Sequence, residues 1–129
     1  MGPLPALNRQ HVLPYRDEHL SLDFDQQAAA LDAERMTLTR KEYDLLALLV
    51  RHTGEIIPRD ALLMQVWGYG AEIRTRTLDV HVRRLRKKLG GYADQYIETI
   101  FGIGYRFQPF GASRFFQSPV GKTQIALSA

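Results

Sequence analysis

Residues Arg74–Leu89 read RTRTLDVHVRRLRKKL, and this stretch decides the fold more than any other part of the chain. At 100° per residue its apolar residues fall within one narrow stripe, and this pattern predicts a helix with the stripe against a core. The stripe consists of Leu78, Val82, Leu85 and Leu89. The opposite face, which we call the outer face, consists of Arg76, Val80, Arg83, Arg84 and Lys87.

The same segment concentrates the positive charge of the protein. It contains seven basic residues and one acid, Asp79, and so carries +6. The whole chain of 129 residues carries only +3, so the remainder is slightly acidic. Exposed helices normally intersperse basic residues with acidic partners. A face that is almost wholly cationic therefore indicates a polyanionic partner.

The composition excludes several other classes of protein. The length and the 45% apolar fraction are typical of one globular domain. Without cysteine there is no disulfide framework, zinc knuckle or thiol nucleophile, and the four scattered histidines have no metal-ligand spacing. No apolar run approaches the roughly 20 residues that span a membrane, and no charged start leads into the apolar core of a signal peptide. We expect a cytoplasmic protein without cofactor or metal.

The segments before the basic helix predict a small antiparallel sheet. Residues 1–18 contain three prolines and are interpreted as a linker or leader, with a short strand near Val12. Residues 20–24 then alternate apolar and polar, which is the period of a half-buried strand. Turn residues separate this strand from two more, Ala28–Leu31 and Arg35–Leu38.

Two further helices precede the basic one. Thr39 and Glu42 have the spacing of a capping box, which predicts a helix start, and Gly54 predicts its end. After a short strand, Pro58 suits the first turn of a second helix, which ends at Gly68. The basic helix is then third in order, where a helix-turn-helix protein places its reading helix.

A hairpin follows the basic helix. Strand-like residues at Tyr96–Ile100 and Gly104–Gln108 flank a glycine-containing bend at Phe101, Gly102 and Ile103. Gly102 and Gly104 resemble the start of a dinucleotide-binding loop, but the third glycine and the following helix are missing. With no arrangement of nucleophile and base either, an enzyme is not expected.

Three residues of the basic helix each have more than one interpretation. Val80 is a scattered surface residue or an apolar contact to a thymine methyl group in the major groove. Asp79 is a partner of Arg83 one turn away, or an acceptor for a cytosine amino group, or a group that orients a neighbouring arginine. His81 is a phosphate contact or a histidine near the helix boundary.

The chain resembles the OmpR/PhoB-type effector domains of bacterial response regulators over residues 19–108. Four motifs carry the resemblance: LTRKEYDLL at 38–46, VWGY at 66–69, RTLDVHVRRLRKKL at 76–89 and GIGYRF at 102–107. It implies an α+β winged helix-turn-helix with an N-terminal antiparallel sheet, three helices and a C-terminal β-hairpin wing. It also implies transcription regulation, often by dimers bound to double-stranded DNA, with the third helix in the major groove.

The resemblance also implies individual site residues. Base edges would be contacted by Asp79, Val80 and Arg84. Phosphates would be contacted by Arg76, Thr77, His81, Arg83, Arg86 and Tyr105. The wing would be Phe101, Gly102 and Ile103. The loop facing RNA polymerase would be Trp67, Gly68, Tyr69, Gly70, Ala71, Glu72 and Ile73.

The chain departs from this family pattern in two places. Phe101 stands where well-studied members have an arginine that enters the minor groove, so the wing packs apolar atoms against DNA or contributes little to specificity. Residues 109–129 extend beyond the usual end of such domains. This tail packs on the domain, mediates self-association or has no role in it.

Two questions about context stay open on the sequence. With no receiver domain before it, the segment is the C-terminal half of a response regulator, which we favour, or a stand-alone regulator. The apolar wing and the tail favour an alternative function slightly, namely a winged-helix protein-interaction module with weak or nonspecific DNA binding. RNA binding is a weaker third option, because no aromatic stacking platform is identifiable on a sheet.

Overall fold

The computed structural model describes residues 13–68 and 75–111. The N-terminal sheet is antiparallel, with strands β1 (Tyr15–Arg16), β2 (Leu20–Asp23), β3 (Ala28–Leu31) and β4 (Glu34–Arg35) in that order. The helices are α1 (Arg40–Arg51), α2 (Arg59–Trp67), α3 (Thr75–Leu89) and, after a 3-10 turn at Gly90–Tyr92, the short α4 (Ala93–Tyr96). The second sheet contains β5 (Ile56–Pro58), β7 (Gly104–Phe107) and β6 (Ile97–Ile100), again antiparallel and in that spatial order. The predicted α+β winged helix-turn-helix is confirmed.

The folded region begins before the boundary predicted at residue 19. Tyr15 and Arg16 pair with Leu22 and Ser21, so the first sheet includes part of the segment interpreted as a leader. A strand of two residues is too short to show an alternating pattern, which is why the sequence did not reveal it. The strand expected near Val12 lies outside the described residues.

Other element boundaries shift by one to three residues. Helix α1 ends at Arg51, three residues before Gly54, whose φ of +85° serves the following turn. In place of the strand predicted at Arg35–Leu38, β4 covers Glu34–Arg35, and one more backbone hydrogen bond, from the Met36 amide to the Ala29 carbonyl at 2.8 Å, follows it. Tyr96 belongs to α4, not to β6 as predicted, because the chain makes a short helical connection between α3 and the hairpin.

The apolar stripe of α3 lies at the centre of the core, as the periodicity predicted. Leu78, Leu85 and Leu89 are fully buried and Val82 is 1% exposed. Leucines of α1, α2 and β2, together with Phe107 of β7, complete the same cluster. The orientation of α3 is therefore fixed by apolar packing, and its outer face has to point away from the domain.

The predicted capping box is present and has a further partner. The Thr39 hydroxyl accepts from the Glu42 amide at 3.2 Å, and the Glu42 carboxylate accepts from the Thr39 amide at 3.0 Å. The same carboxylate oxygen lies 2.6 Å from Nζ of Lys88 near the end of α3. Glu42 is 1% exposed, so this ion pair compensates a buried charge and ties α1 to α3.

A carboxylate in the predicted leader joins the two ends of the domain. Asp17 accepts hydrogen bonds from the hydroxyls of Tyr15 and Tyr96, the latter at 2.7 Å. It also accepts from the amides of His19 and Leu20 at 2.9 Å and from that of Phe110 at 3.1 Å. No sequence pattern indicates this site, because its partners lie as far as 93 positions away.

The first residues of the predicted tail belong to the domain. The Phe110 ring packs edge-on against His19, with centroids 4.5 Å apart, and against Tyr92 at 5.5 Å. His19 in turn stacks on Tyr92 at 4.2 Å. Residues 109–111 therefore pack on the N-terminal sheet and the segment after α3, whereas 112–129 lie outside the described residues.

Because the Glu42 carboxylate is buried and paired with Lys88, we predict that the domain loses stability in acid. Burial raises the pKa of Glu42, but the hydrogen bonds from Lys88 and Thr39 lower it more, and the net pKa lies below its ordinary value. Because the pKa of Glu42 is lowered in the folded state, the ionised side chain contributes its full stability above the pKa of glutamate in the unfolded chain, about 4. That contribution is lost as the pH falls through the lowered value.

Urea unfolding of the wild type and Glu42→Gln between about pH 7 and about pH 3 tests this expectation. The difference in unfolding free energy should be largest at neutral pH and shrink in acid, where the protonated side chain resembles glutamine. Glu34→Gln, on the exposed strand β4, is the control and should show little difference. A gap between wild type and Glu42→Gln that stays constant with pH would contradict the role assigned to the ion pair.

Candidate nucleic-acid interface

The outer face of α3 presents the predicted cluster of cations to solvent. Arg76, Arg83, Arg84 and Lys87 are exposed, and Val80 is half-buried among them. Within residues 13–68 and 75–111, these four cations form no ion pair. Because no carboxylate compensates this surface, it attracts anions and is screened by salt.

Two basic residues of α3 do not belong to this face. The Arg86 guanidinium donates to the Ile97 carbonyl at 2.8 Å and to the Thr99 hydroxyl at 2.7 Å, and it lies 5.8 Å from the centre of the Tyr105 ring. Lys88, on the other flank of the helix, forms an ion pair with Glu42. Arg86 lies beside the core stripe and is directed toward β6, and its role as a phosphate contact stays a prediction.

Asp79 is held by a junction of three elements. Its carboxylate accepts from Nη2 of Arg59, at the start of α2, at 2.8 and 2.9 Å to its two oxygens. It also accepts from the Tyr105 hydroxyl of β7 at 2.8 Å. We call Asp79, Arg59 and Tyr105 the Asp79 junction. Of the three sequence interpretations, this geometry matches the orientation of an arginine, which is Arg59. An ion pair of Asp79 with Arg83 is not found among the described residues.

Tyr105 is used within the protein. It is 5% exposed, and its hydroxyl proton is donated to Asp79. Burial, followed by the hydrogen bond to Asp79, raises the pKa of Tyr105. Its role as a phosphate contact stays a prediction, although the hydroxyl already has a partner within the protein. The sequence missed Arg59, which no helical spacing connects to Asp79.

His81 contacts the end of α2. Its Nδ1 lies 2.9 Å from the Thr77 carbonyl, and its ring packs edge-on against Trp67 with centroids 4.9 Å apart. A carbonyl only accepts, so Nδ1 carries the hydrogen of this bond. Of the loop predicted to face RNA polymerase, Trp67 and Gly68 are described, with Gly68 ending α2 at a φ of +90°. Tyr69, Gly70, Ala71, Glu72 and Ile73 lie outside the described residues.

The wing is a tight turn with apolar side chains. The Ile103 amide donates to the Ile100 carbonyl at 2.9 Å, and Gly102 has a φ of +78°. Phe101 is 88% exposed and Ile103 is 51% exposed. At the base of the turn, a Cβ built on Gly104 would lie 2.0 Å from the Ile57 carbonyl oxygen, so β5 and β7 approach as closely as they do only because this residue is glycine.

Metal-ligand groups and membrane-spanning helices are both absent from the described residues. No group of three side chains there has the geometry of a metal site. None of the helices described is both long and apolar enough to cross a lipid bilayer.

A cationic helix fixed on a three-helix core beside a β-hairpin defines a winged-helix DNA-binding domain. Residues 33–107 match the family model described as the C-terminal domain of transcriptional regulatory proteins. The chain belongs to this family, and its fold is that of the OmpR/PhoB-type effector domains of response regulators.

Individual relatives agree with this assignment. Response regulator ArlR of Staphylococcus haemolyticus is 39% identical over 87 residues, which cover 67% of this chain and 40% of that protein. Transcriptional regulatory protein SrrA of Staphylococcus aureus is 37% identical over 94 residues, or 70% of this chain and 39% of that protein. The chain thus spans about 40% of the length of these relatives.

Solved structures show the same fold. The DNA-binding domain of RstA from Klebsiella pneumoniae, solved in complex with the RstA box, superimposes with a TM-score of 0.67 at 32% identity, covering 76% of this chain and 99% of that one. The response regulator DrrB of Thermotoga maritima, described as an OmpR/PhoB homolog, gives a TM-score of 0.70 at 28% identity, covering 79% and 47% of the two chains.

Proposed function

We propose that this domain binds duplex DNA sequence-specifically to regulate transcription, with α3 in the major groove. The observation that carries the proposal is the outer face of α3, whose four cations have no carboxylate partner in the described part of the chain. The helix has 15 residues and is about 22 Å long. A major groove about 12 Å wide admits a helix of this kind.

The contacts of each side chain suggest how the work is divided. We assign base contacts to Val80 and Arg84, for a thymine methyl group and a guanine edge. Arg76, Thr77 and Arg83 would hold phosphates and fix the register of the helix. Asp79 keeps its place at the interface, but as a positioning residue that acts through the Asp79 junction, since its two oxygens already accept hydrogen bonds from Arg59 and Tyr105.

His81 stays in the proposal as a phosphate contact. Its Nδ1 is engaged by the Thr77 carbonyl, so Nε2 is the ring nitrogen that remains for a phosphate.

The wider context follows the relatives. We propose that the domain is the effector part of a two-component response regulator whose receiver domain precedes it, and that it binds DNA as a homodimer. RNA polymerase is the proposed protein partner, at the loop that begins at Trp67.

A binding selection from a randomised duplex pool at near-physiological salt tests the proposal. We expect enrichment of a defined half-site, repeated at about one helical turn. A pool that stays random, or affinity that does not respond to salt, would favour the alternative of a protein-interaction module.

Arginine variants then test the division between base and phosphate contacts. Arg84→Ala should reduce the preference for the selected site over random duplex by about tenfold, because a bidentate arginine–guanine contact is worth about 1–3 kcal/mol. Arg76→Ala should weaken binding to both duplexes alike and lower the slope of log K against log salt by about 0.9. Titrations by fluorescence anisotropy at several salt concentrations measure both quantities.

Arg35→Ala is the matched control for these titrations, since this exposed arginine lies on β4 and not on α3. It should leave affinity, preference and salt slope unchanged. Equal losses on selected and random DNA for both Arg84→Ala and Arg76→Ala would refute the division of roles.

A further inference from the structure

The tip of the wing exposes apolar surface in one small turn. Phe101 is 88% exposed and Ile103 is 51% exposed, on either side of Gly102. Single exposed apolar residues are ordinary, but here two stand together and one is an aromatic ring that is almost wholly in water. The turn is ordered by its own hydrogen bond from the Ile103 amide to the Ile100 carbonyl at 2.9 Å. The ring is thus presented by a defined backbone.

Backbone and side-chain contacts fix the wing beside the first half of α3. The Arg59 amide donates to the Ile103 carbonyl at 3.0 Å, while the Arg59 guanidinium bonds Asp79 on α3. Tyr105, one residue after the base of the turn, bonds the same carboxylate. Because one residue joins the turn and α3, the tip and the outer face cannot shift independently. The exposed ring is therefore continuous with the proposed DNA-binding surface.

Most of the acids around this tip are paired. The turn itself, Phe101 to Ile103, has no charged side chain. Asp79 is paired with Arg59 at 2.8 Å, and Glu98 is paired with Arg106 at 2.8 Å. Asp60 on α2 is exposed and has no ion pair among the described residues, so one acid near the wing stands against the four cations of the outer face.

We propose that Phe101 is an apolar wedge that contacts duplex DNA beside the segment read by α3, at the sugar faces or a base step of the neighbouring minor groove. This rests on the proposed function. Apolar side chains in a minor groove act by partly unstacking a base step, so they favour flexible pyrimidine–purine steps. Phe101 would then add a preference at a position that α3 does not touch, and it would do so without neutralising a phosphate.

The test compares the whole 129-residue chain with Phe101→Ala on a duplex from the selection described above. We expect Phe101→Ala to lose about tenfold in affinity, the order found for one aromatic–base contact. The slope of log K against log salt should not change, because no counterion is released. In a pool with a fixed α3 site and randomised flanks, the wild type should enrich pyrimidine–purine steps on one side, and the variant should not.

Phe101→Arg gives an independent reading of the same position. An arginine there should recover affinity and steepen the salt slope by about 0.9, because the tip would then reach a phosphate or the groove. Met64→Ala is the matched control, since this residue is 52% exposed and apolar but lies on α2. Thermal unfolding should give the same midpoint for the wild type and all three variants, because these side chains pack little.

The outcomes separate the two proposals. If the wild type shows no site preference, the proposed function fails. If it has a site but Phe101→Ala matches its affinity and its flank preference, the function stands and the wedge is overturned. The wedge is also overturned if Phe101→Ala changes the oligomeric state without DNA, measured by sedimentation, since the ring then belongs to a protein contact.

Discussion

Gly104→Ala is expected to destabilise the domain by about 3 kcal/mol or more. The added Cβ would lie 2.0 Å from the Ile57 carbonyl oxygen, 2.8 Å from the Ile57 carbonyl carbon and 2.9 Å from Cα of Pro58. All three are backbone atoms, so no side-chain rotation relieves the overlap. The β5–β7 pairing must open, and with it the support of the wing and of the Asp79 junction.

Thermal unfolding measures this effect, with an expected fall in midpoint of more than about 10 °C for a domain of this size. DNA affinity at a temperature where the variant is still folded should fall as well. Gly102→Ala is the matched control in the same hairpin. Gly102 has a φ of +78° but nothing within 4 Å of the added Cβ, so only the left-handed backbone opposes the substitution, at about 1 kcal/mol. Equal losses in the two variants would show that the close approach at Gly104 is unimportant.

Asp17→Ala is expected to cost about 2–4 kcal/mol, the second large effect. The substitution removes the acceptor of five hydrogen bonds and leaves the hydroxyls of Tyr15 and Tyr96 without it. Burial raises the pKa of Asp17, but these hydrogen bonds lower it more, so the folded state holds the ionised form. The loss should therefore be greatest at neutral pH and shrink in acid.

Urea unfolding of Asp17→Ala provides the measurement, and Asp23→Ala is its control. Asp23 is exposed, and its carboxylate also accepts from two backbone amides, those of Asp25 and Gln26 at 3.0 Å, but both are close in sequence. It should cost about 1 kcal/mol or less. The loss of unfolding free energy in Asp17→Asn should lie between those of the two alanine variants, because an amide oxygen still accepts hydrogen bonds. If Asp17→Ala and Asp23→Ala cost the same, the connection of the two chain ends through Asp17 contributes nothing.

The two large predictions concern residues whose importance is only partly visible in the sequence. Gly104 stands in a motif that was recognised, yet the need for glycine there comes from β5, which lies about 47 positions earlier and approaches only in the fold. Asp17 was assigned to a leader, because two strand residues beside prolines show no period. In both cases the decisive neighbour is remote in sequence.

Local patterns were sufficient for the main elements. The 3.6-residue period of α3 identified its buried stripe, and Leu78 and Leu85 are fully buried as predicted. The Thr39–Glu42 spacing identified the start of α1, because a capping box is completed within one turn of helix. The bend of the wing followed from Gly102, whose positive φ is a property of its own backbone.

The sequence by itself thus determined the helices, the wing and the cationic face, because each follows from periodicity, capping or turn chemistry within a few residues. Only the tertiary structure decided which polar residues of α3 are available to a ligand. Arg86 and Lys88 lie on the flanks of the helix, where Arg86 donates to Thr99 of β6 and Lys88 forms an ion pair with Glu42. Asp79 forms an ion pair with Arg59. A helical pattern gives the direction of a side chain, but its partner depends on which element packs beside it.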